Sequence, residues 1–157
     1  MEKKKINLLA LQIGSTIADI NKNIIKVREM LDNLLISKPV DFVFLPEVWT
    51  CGWDCESFKD CAENIKTADS INMLKEIAKK YSTNIIGGSF IQKKDNGVLA
   101  NTCPVINRNG ELIATYEKNH LYSYYGCNEG EIVQRGSNPI IVEIEGVKIG
   151  ISICYDI

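Results

Sequence analysis

The sequence predicts an α/β layered domain with a mixed sheet, and three observations carry that expectation. Strand-like and helix-like runs alternate from Ile6 to Tyr81. Turn signals at Asp95-Asn96-Gly97 and Asn107-Arg108-Asn109-Gly110 then separate a series of β-type runs. A last pair of apolar runs flanks Glu145-Gly146 and ends at Cys154.

Taken in order, Ile6 to Ile13 reads as a buried strand. From Asp19 the period changes: Ile20, Ile24, Val27, Leu31, Leu34 and Leu35 follow helical spacing, with Asp19 as N-cap. Pro39 ends that helix, and Asp41 to Leu45 is a short apolar strand closed by Pro46. Strand, helix and strand with short connections suggest a βαβ unit. A second helix follows near Ser70, with Met73, Leu74, Ile77, Ala78 and Tyr81 on one face. Asn84 to Gln92 reads as one strand containing Gly87-Gly88, followed by strands at Val98 to Ile106 and Leu112 to Glu117. Asn119 to Ser137 is an irregular stretch, long for an idle connection. Ile140 to Ile144 and Val147 to Ile153 form the final hairpin. A sheet of this kind needs cover on both faces, and two helices on one side do not supply it.

A chain of 157 residues with 45% apolar and 24% charged residues fits one globular domain. The formal charge of −2 gives no reason to expect nucleic acid or an anionic membrane as partner. The basic Lys3-Lys4-Lys5 precedes an apolar run too short for a signal-peptide core or a membrane span, which reads as cytoplasmic. Six cysteines (51, 55, 61, 103, 127 and 154) in a chain without a secretory signal and with enough apolar residues to fold unaided are not expected to form a disulfide framework. With no C-x-x-C pair and His120 the sole histidine, no zinc site is expected. Reduced thiols remain, mostly core residues, with room for one that reacts.

Three polar residues stand just past predicted strands: Glu47, Lys118 and Cys154. Strand ends are where α/β sheets build their sites, and strands running side by side would bring the three together. The chemistry is then coherent. Cys154 beside a base is a nucleophile, and Glu47 is placed to take its proton. Lys118 and the N–H of Tyr155 would hold the negative charge that develops on an attacked carbonyl. Each residue alone has a plainer reading: a core thiol, a loop carboxylate, a surface lysine. His120 reads as orienting a loop. Trp49, Trp53, Tyr122, Tyr124 and Tyr125 read equally as an apolar entrance or as ordinary half-buried aromatics.

Together these segments resemble the nitrilase superfamily of carbon–nitrogen hydrolases. FLPEVW is similar to the segment bearing the general-base glutamate, here Glu47. NTCPVINRNGELIATYEKNHLY is similar to the strand–turn–strand segment bearing the lysine, here Lys118, and GISICYDI to the nucleophile segment, here Cys154. Glu129, in EGEIVQRG, is similar to a second glutamate that lies beside the lysine and helps to position it. The resemblance implies hydrolysis of a non-peptide C–N bond in a small amide or nitrile through a thioester, with no metal or organic cofactor. It also implies an α-β-β-α sandwich that pairs into dimers through the nucleophile-bearing region.

The same resemblance leads to the expectation that residues 1–157 are a partial domain, truncated after the nucleophile. On that reading the chain is the first half of the sandwich with the C-terminal half missing, and a complementary C-terminal chain or a homo-oligomer covers its sheet. The alternative that goes with it is an inactive remnant, or an interaction module that needs a partner chain.

Overall fold

The computed structural model describes residues 5–157; Lys3 and Lys4 of the basic run lie outside them. Helix α1 (Ile20–Leu35) begins where the Asp19 carboxylate accepts the Lys22 N–H at 3.0 Å, satisfying one of the first-turn donors. Val27, Leu31 and Leu35 recur every four residues and are buried, whereas Leu34, expected on that face, is exposed. Helix α2 (Asp69–Tyr81) buries Met73, Leu74, Ile77 and Ala78 and carries Lys79 and Lys80 in its last turn, where cations suit the negative helix end. Both helices pack on one face of the main sheet, against Val43, Leu45, Ile85 and Ile106.

That sheet has six strands. β1 (Leu8–Ala10), β2 (Phe42–Phe44) and β3 (Asn84–Ile86) are parallel neighbours. β3 and β4 (Phe90–Lys93) then run antiparallel along one edge of β5 (Leu99–Ile106), and β6 (Leu112–Glu117) pairs with its other edge. The run from Asn84 to Gln92 is therefore two strands and not one. The break falls at Gly88, whose φ is +60° and where a Cβ would stand 2.0 Å from the Pro46 carbonyl oxygen. A side chain has no room there, so glycine lets this bend lie directly against the turn after β2. Ser89 completes the contact, its Oγ accepting the Val48 N–H at 2.9 Å. The 119–137 stretch contains a small antiparallel pair, β7 (Ser123–Tyr124) with β8 (Cys127–Asn128).

β9 (Ile140–Ile144) and β10 (Val147–Ile151) form a hairpin that is a separate sheet, not an extension of the first. Ile144, Ile151 and Ile153 pack with Phe42, Ile86, Cys103, Val105 and Tyr116, on the face opposite the helices, while Glu143 and Lys148 point to solvent. This corrects the expectation of a half-sandwich with an uncovered sheet. The hairpin packs on the face opposite the helices, so the central strands are flanked on both faces from within the chain, in the order helices, sheet, hairpin. The period-two pattern gives the hairpin one apolar face, and that face builds a second layer. Among the described residues no helix is long and apolar enough to cross a membrane.

Candidate active site

Lys118 leaves the end of β6 and is fully buried. Its Nζ donates to Glu47 Oε1 at 2.8 Å and to Glu129 Oε2 at 2.9 Å. Asn101, in β5, spans the same two carboxylates, its Nδ2 donating to Glu47 Oε1 at 3.1 Å and to Glu129 Oε1 at 2.9 Å. The Tyr122 N–H adds a further donor to Glu129 Oε2 at 2.9 Å. Burial works against the charge on Lys118, but the hydrogen bonds to Glu47 and Glu129 outweigh it and hold the ammonium above the ordinary lysine range. The Nζ also sits 5.1 Å from the ring centre of Trp53, which caps the cation.

Cys154 lies just past β10, exposed, in left-handed backbone with φ +46°. A non-glycine residue in that region marks a sharp, constrained turn. Cys154 and Glu47 line one small cavity of about 160 Å³, together with Phe44, Ile86 and Ile153. The thiol is held above its ordinary range, first by loss of solvent against the cavity wall and then by the charge and hydrogen bonding of Glu47. Lys118 and the Tyr155 N–H pull the other way without prevailing. The sulfur is thus held toward the protonated thiol, beside a carboxylate. A larger depression of about 660 Å³, between Lys59, Lys93 and residues 130–134, contains no candidate nucleophile.

The structure therefore brings Glu47, Lys118, Glu129 and Cys154 together, but not on adjacent strands. Glu47 and Lys118 follow β2 and β6 of one sheet, and Cys154 arrives from the second layer. The sequence gives no role to Asn101, which lies within the segment that resembles the family's lysine-bearing one, or to Asp156. Asp156 is almost fully enclosed and accepts from Tyr116 Oη at 2.6 Å, the Ile153 N–H at 2.9 Å, the Asn119 N–H at 3.1 Å and the His120 N–H at 2.8 Å. His120 itself is exposed, with Nδ1 3.0 Å from Asp156 Oδ1.

Of the candidate entrance aromatics, Trp49 is a core residue that donates from Nε1 to the Gly87 carbonyl at 3.0 Å. Trp53, Tyr122, Tyr124 and Tyr125 do line a depression, of about 380 Å³. Edge-to-face contacts link Trp53 to Tyr122, and Tyr122 and Tyr124 to Tyr155. The rim of this depression carries a disulfide between Cys55 and Cys127, which corrects the expectation of reduced thiols throughout. The bonded partners are 72 residues apart with Cα atoms 5.8 Å apart, because the 119–137 stretch folds back over the segment after Trp53. Cys51, Cys61 and Cys103 are buried free thiols, and burial pushes Cys51 and Cys103 up to about 12. A cross-link closing so long a loop restricts the unfolded chain. Replacing Cys55 and Cys127 together by serine is expected to lower stability by about 2–4 kcal/mol in urea unfolding.

The model of the carbon-nitrogen hydrolase family matches residues 8–157, and the chain belongs to that family. The match runs over nearly all of the chain, and the expectation of a partial domain with its C-terminal half missing finds no support in it. Among curated relatives, the chain is 34% identical to a chloroplastic omega-amidase of Arabidopsis thaliana over 98% of this chain and 43% of that protein. It is 36% identical to the 2-oxoglutaramate amidase of Bacillus subtilis over 77% of this chain and 45% of that protein. A carbon-nitrogen hydrolase superfamily protein of Xanthomonas campestris superposes with a TM-score of 0.87 at 23% identity, covering 98% of this chain and 55% of its own. Nit3 of Saccharomyces cerevisiae superposes with a TM-score of 0.84 at 23% identity, over 96% and 56% of the two chains. The chain spans about half the length of the curated relatives it matches, 43% and 45% of the two amidases. Neither these matches nor the covered sheet support an inactive remnant that depends on a partner chain.

Proposed function

We propose that the chain hydrolyses the C–N bond of a small amide through a thioester on Cys154. The observation that carries this reading is the meeting of Cys154 and Glu47 in one cavity while Lys118 is hydrogen-bonded to the same Glu47. Glu47 takes the thiol proton as the sulfur attacks the carbonyl carbon, and the carbonyl π pair moves to oxygen. The Lys118 ammonium and the Tyr155 N–H receive that negative charge. On collapse the C–N bond breaks, and Glu47 returns its proton to the departing ammonia or amine. Water then attacks the thioester carbon, gives its proton to Glu47, and the thiol is restored as the acid leaves. Glu129 and Asn101 hold Lys118 and Glu47 in register through these steps.

Since the relatives include an omega-amidase and a 2-oxoglutaramate amidase, ω-amides of dicarboxylic acids head the panel to be tried. Ammonia release from that panel is expected, with an acyl adduct on Cys154 detected by mass spectrometry after rapid acid quench. The raised thiol also predicts iodoacetamide alkylation of Cys154 that climbs about tenfold per pH unit through neutrality, with its midpoint above the ordinary thiol value. Absence of both turnover and adduct across the panel overturns the reading.

A further inference from the structure

We propose that Asp156 is a positioning residue for the reaction: a single enclosed carboxylate that clamps the nucleophile turn to the end of the lysine-bearing strand. The inference rests on the reading of Cys154 and Lys118 given above, and it goes beyond that reading by saying what fixes their mutual placement.

The two oxygens of Asp156 face different parts of the chain. Oδ2 accepts the Ile153 N–H at 2.9 Å, and the Asp156 N–H donates back to the Ile153 carbonyl at 3.1 Å. The turn that holds Cys154 is therefore closed from both directions, which accounts for a cysteine persisting at φ +46°. The same oxygen accepts from Tyr116 Oη at 2.6 Å, and Tyr116 belongs to β6, two residues before Lys118. Oδ1 accepts the N–H groups of Asn119 and His120, the two residues after Lys118, at 3.1 and 2.8 Å. The lysine is thus bracketed on both sides by donors to one carboxylate, which also holds the residue before the thiol.

No strand pairing joins β10 to β6, since the two lie in different sheets. The polar contacts of Asp156 therefore cross the gap that backbone ladders leave open. Its side chain is 5% exposed, and the hydrogen bonds from Tyr116, Ile153 and His120 outweigh burial and hold the carboxyl below its ordinary range. It stays a charged acceptor at neutral pH, and five polar groups, counting the His120 ring nitrogen, converge on it. Displacing Cys154 from Lys118 by a fraction of an ångström would cost rate without touching the substrate's binding surface.

The test compares the full chain with Asp156→Asn, which keeps the shape but replaces one acceptor oxygen by a donor. For an amide turned over by the wild type, kcat is expected to fall by about tenfold or more with KM changed less than about twofold. Alkylation of Cys154 by iodoacetamide at pH 8 is expected to slow by about threefold or more, because the thiol loses its placement beside the ammonium. An unchanged kcat, a loss expressed in KM alone, or an unchanged or faster alkylation rate overturns the proposal. If Asp156→Asn does not fold, Tyr116→Phe is read instead, with an expected drop in kcat of about two- to fivefold at constant KM, and equal kcat overturns the clamp. If the wild type turns over no amide, the proposed function fails on its own terms. The alkylation comparison then still decides for or against the clamp.

Discussion

Cys154→Ala is expected to leave the fold intact and to lower ammonia release by about four orders of magnitude or more. The two halves of that expectation rest on different observations. Cys154 is exposed and outside the packed clusters, so losing its sulfur removes little buried surface, and urea stability should stay within about 0.5 kcal/mol of the wild type. Alanine meets the same backbone demand at φ +46° as cysteine does, so the turn has no new reason to move. The rate is another matter, because without sulfur there is no atom to form the thioester. In the proposed reaction neither Glu47 nor Lys118 offers a substitute, since one would carry the proton and the other would face the charge. Residual turnover above about 1% of wild type would show that a different group attacks the substrate.

Lys118→Met is expected to cost both stability and rate. The methionine fills much of the same space, but Glu47 and Glu129 lose the cation between them, and Glu129 is fully buried. Removing one partner of a buried ion pair typically costs about 3–5 kcal/mol, more than the pair itself contributes, because the remaining charge is stranded. Urea unfolding at pH 7 should show a loss of about that size. The sign of its pH dependence follows from the ammonium being held above the ordinary range in the folded state. Its contribution is fully present below the unfolded value of about 10.4 and fades only as pH rises through the higher folded value. The gap between wild type and variant should therefore be flat through neutrality and close only in strong alkali. The thiol provides an independent reading. Lys118 lowers the affinity of Cys154 for its proton, so the midpoint of alkylation should move further up in the variant. A variant as stable as the wild type, with an unshifted thiol, would show that the lysine carries no charge in the folded protein.

Much of this site is visible in the sequence because each of its three candidate catalytic residues ends an apolar run. Glu47 follows Phe42 to Pro46, Lys118 follows Leu112 to Glu117, and Cys154 follows Val147 to Ile153. A run long enough to be a strand fixes where the chain emerges, and emergence is what a site needs. Both helices are legible for a related reason, since a 3.6-residue period buries one face whatever the neighbours are. Asn101 and Asp156 are hidden because nothing local distinguishes them. One is a polar residue inside an apolar strand and the other a carboxylate after a tyrosine, and their partners lie 28 to 54 and 3 to 40 residues away. The Cys55–Cys127 bond is hidden too, because connectivity over 72 residues leaves no spacing signature. The layer to which β9 and β10 belong is not legible in the sequence, for a physical cause. Alternation shows that one face of a hairpin is apolar, not which surface that face will meet. Gly87-Gly88 did announce an irregularity, but only the proximity of the Pro46 carbonyl explains why it is a full break.

Cys154 and Glu47 reach the same cavity from two different sheets, and what lies between those sheets is hydrocarbon. Val105 and Phe42 on one side, with Ile144 and Ile151 on the other, set how far apart the layers stand. A close-packed interior resists compression and leaves little slack for sliding, so these side chains behave as a shim of fixed thickness. The reach of a sulfur atom toward a carboxylate is thereby decided by the bulk of methyl groups that never meet a substrate. Tuning this chemistry is as much a question of filling a seam as of choosing acids and bases.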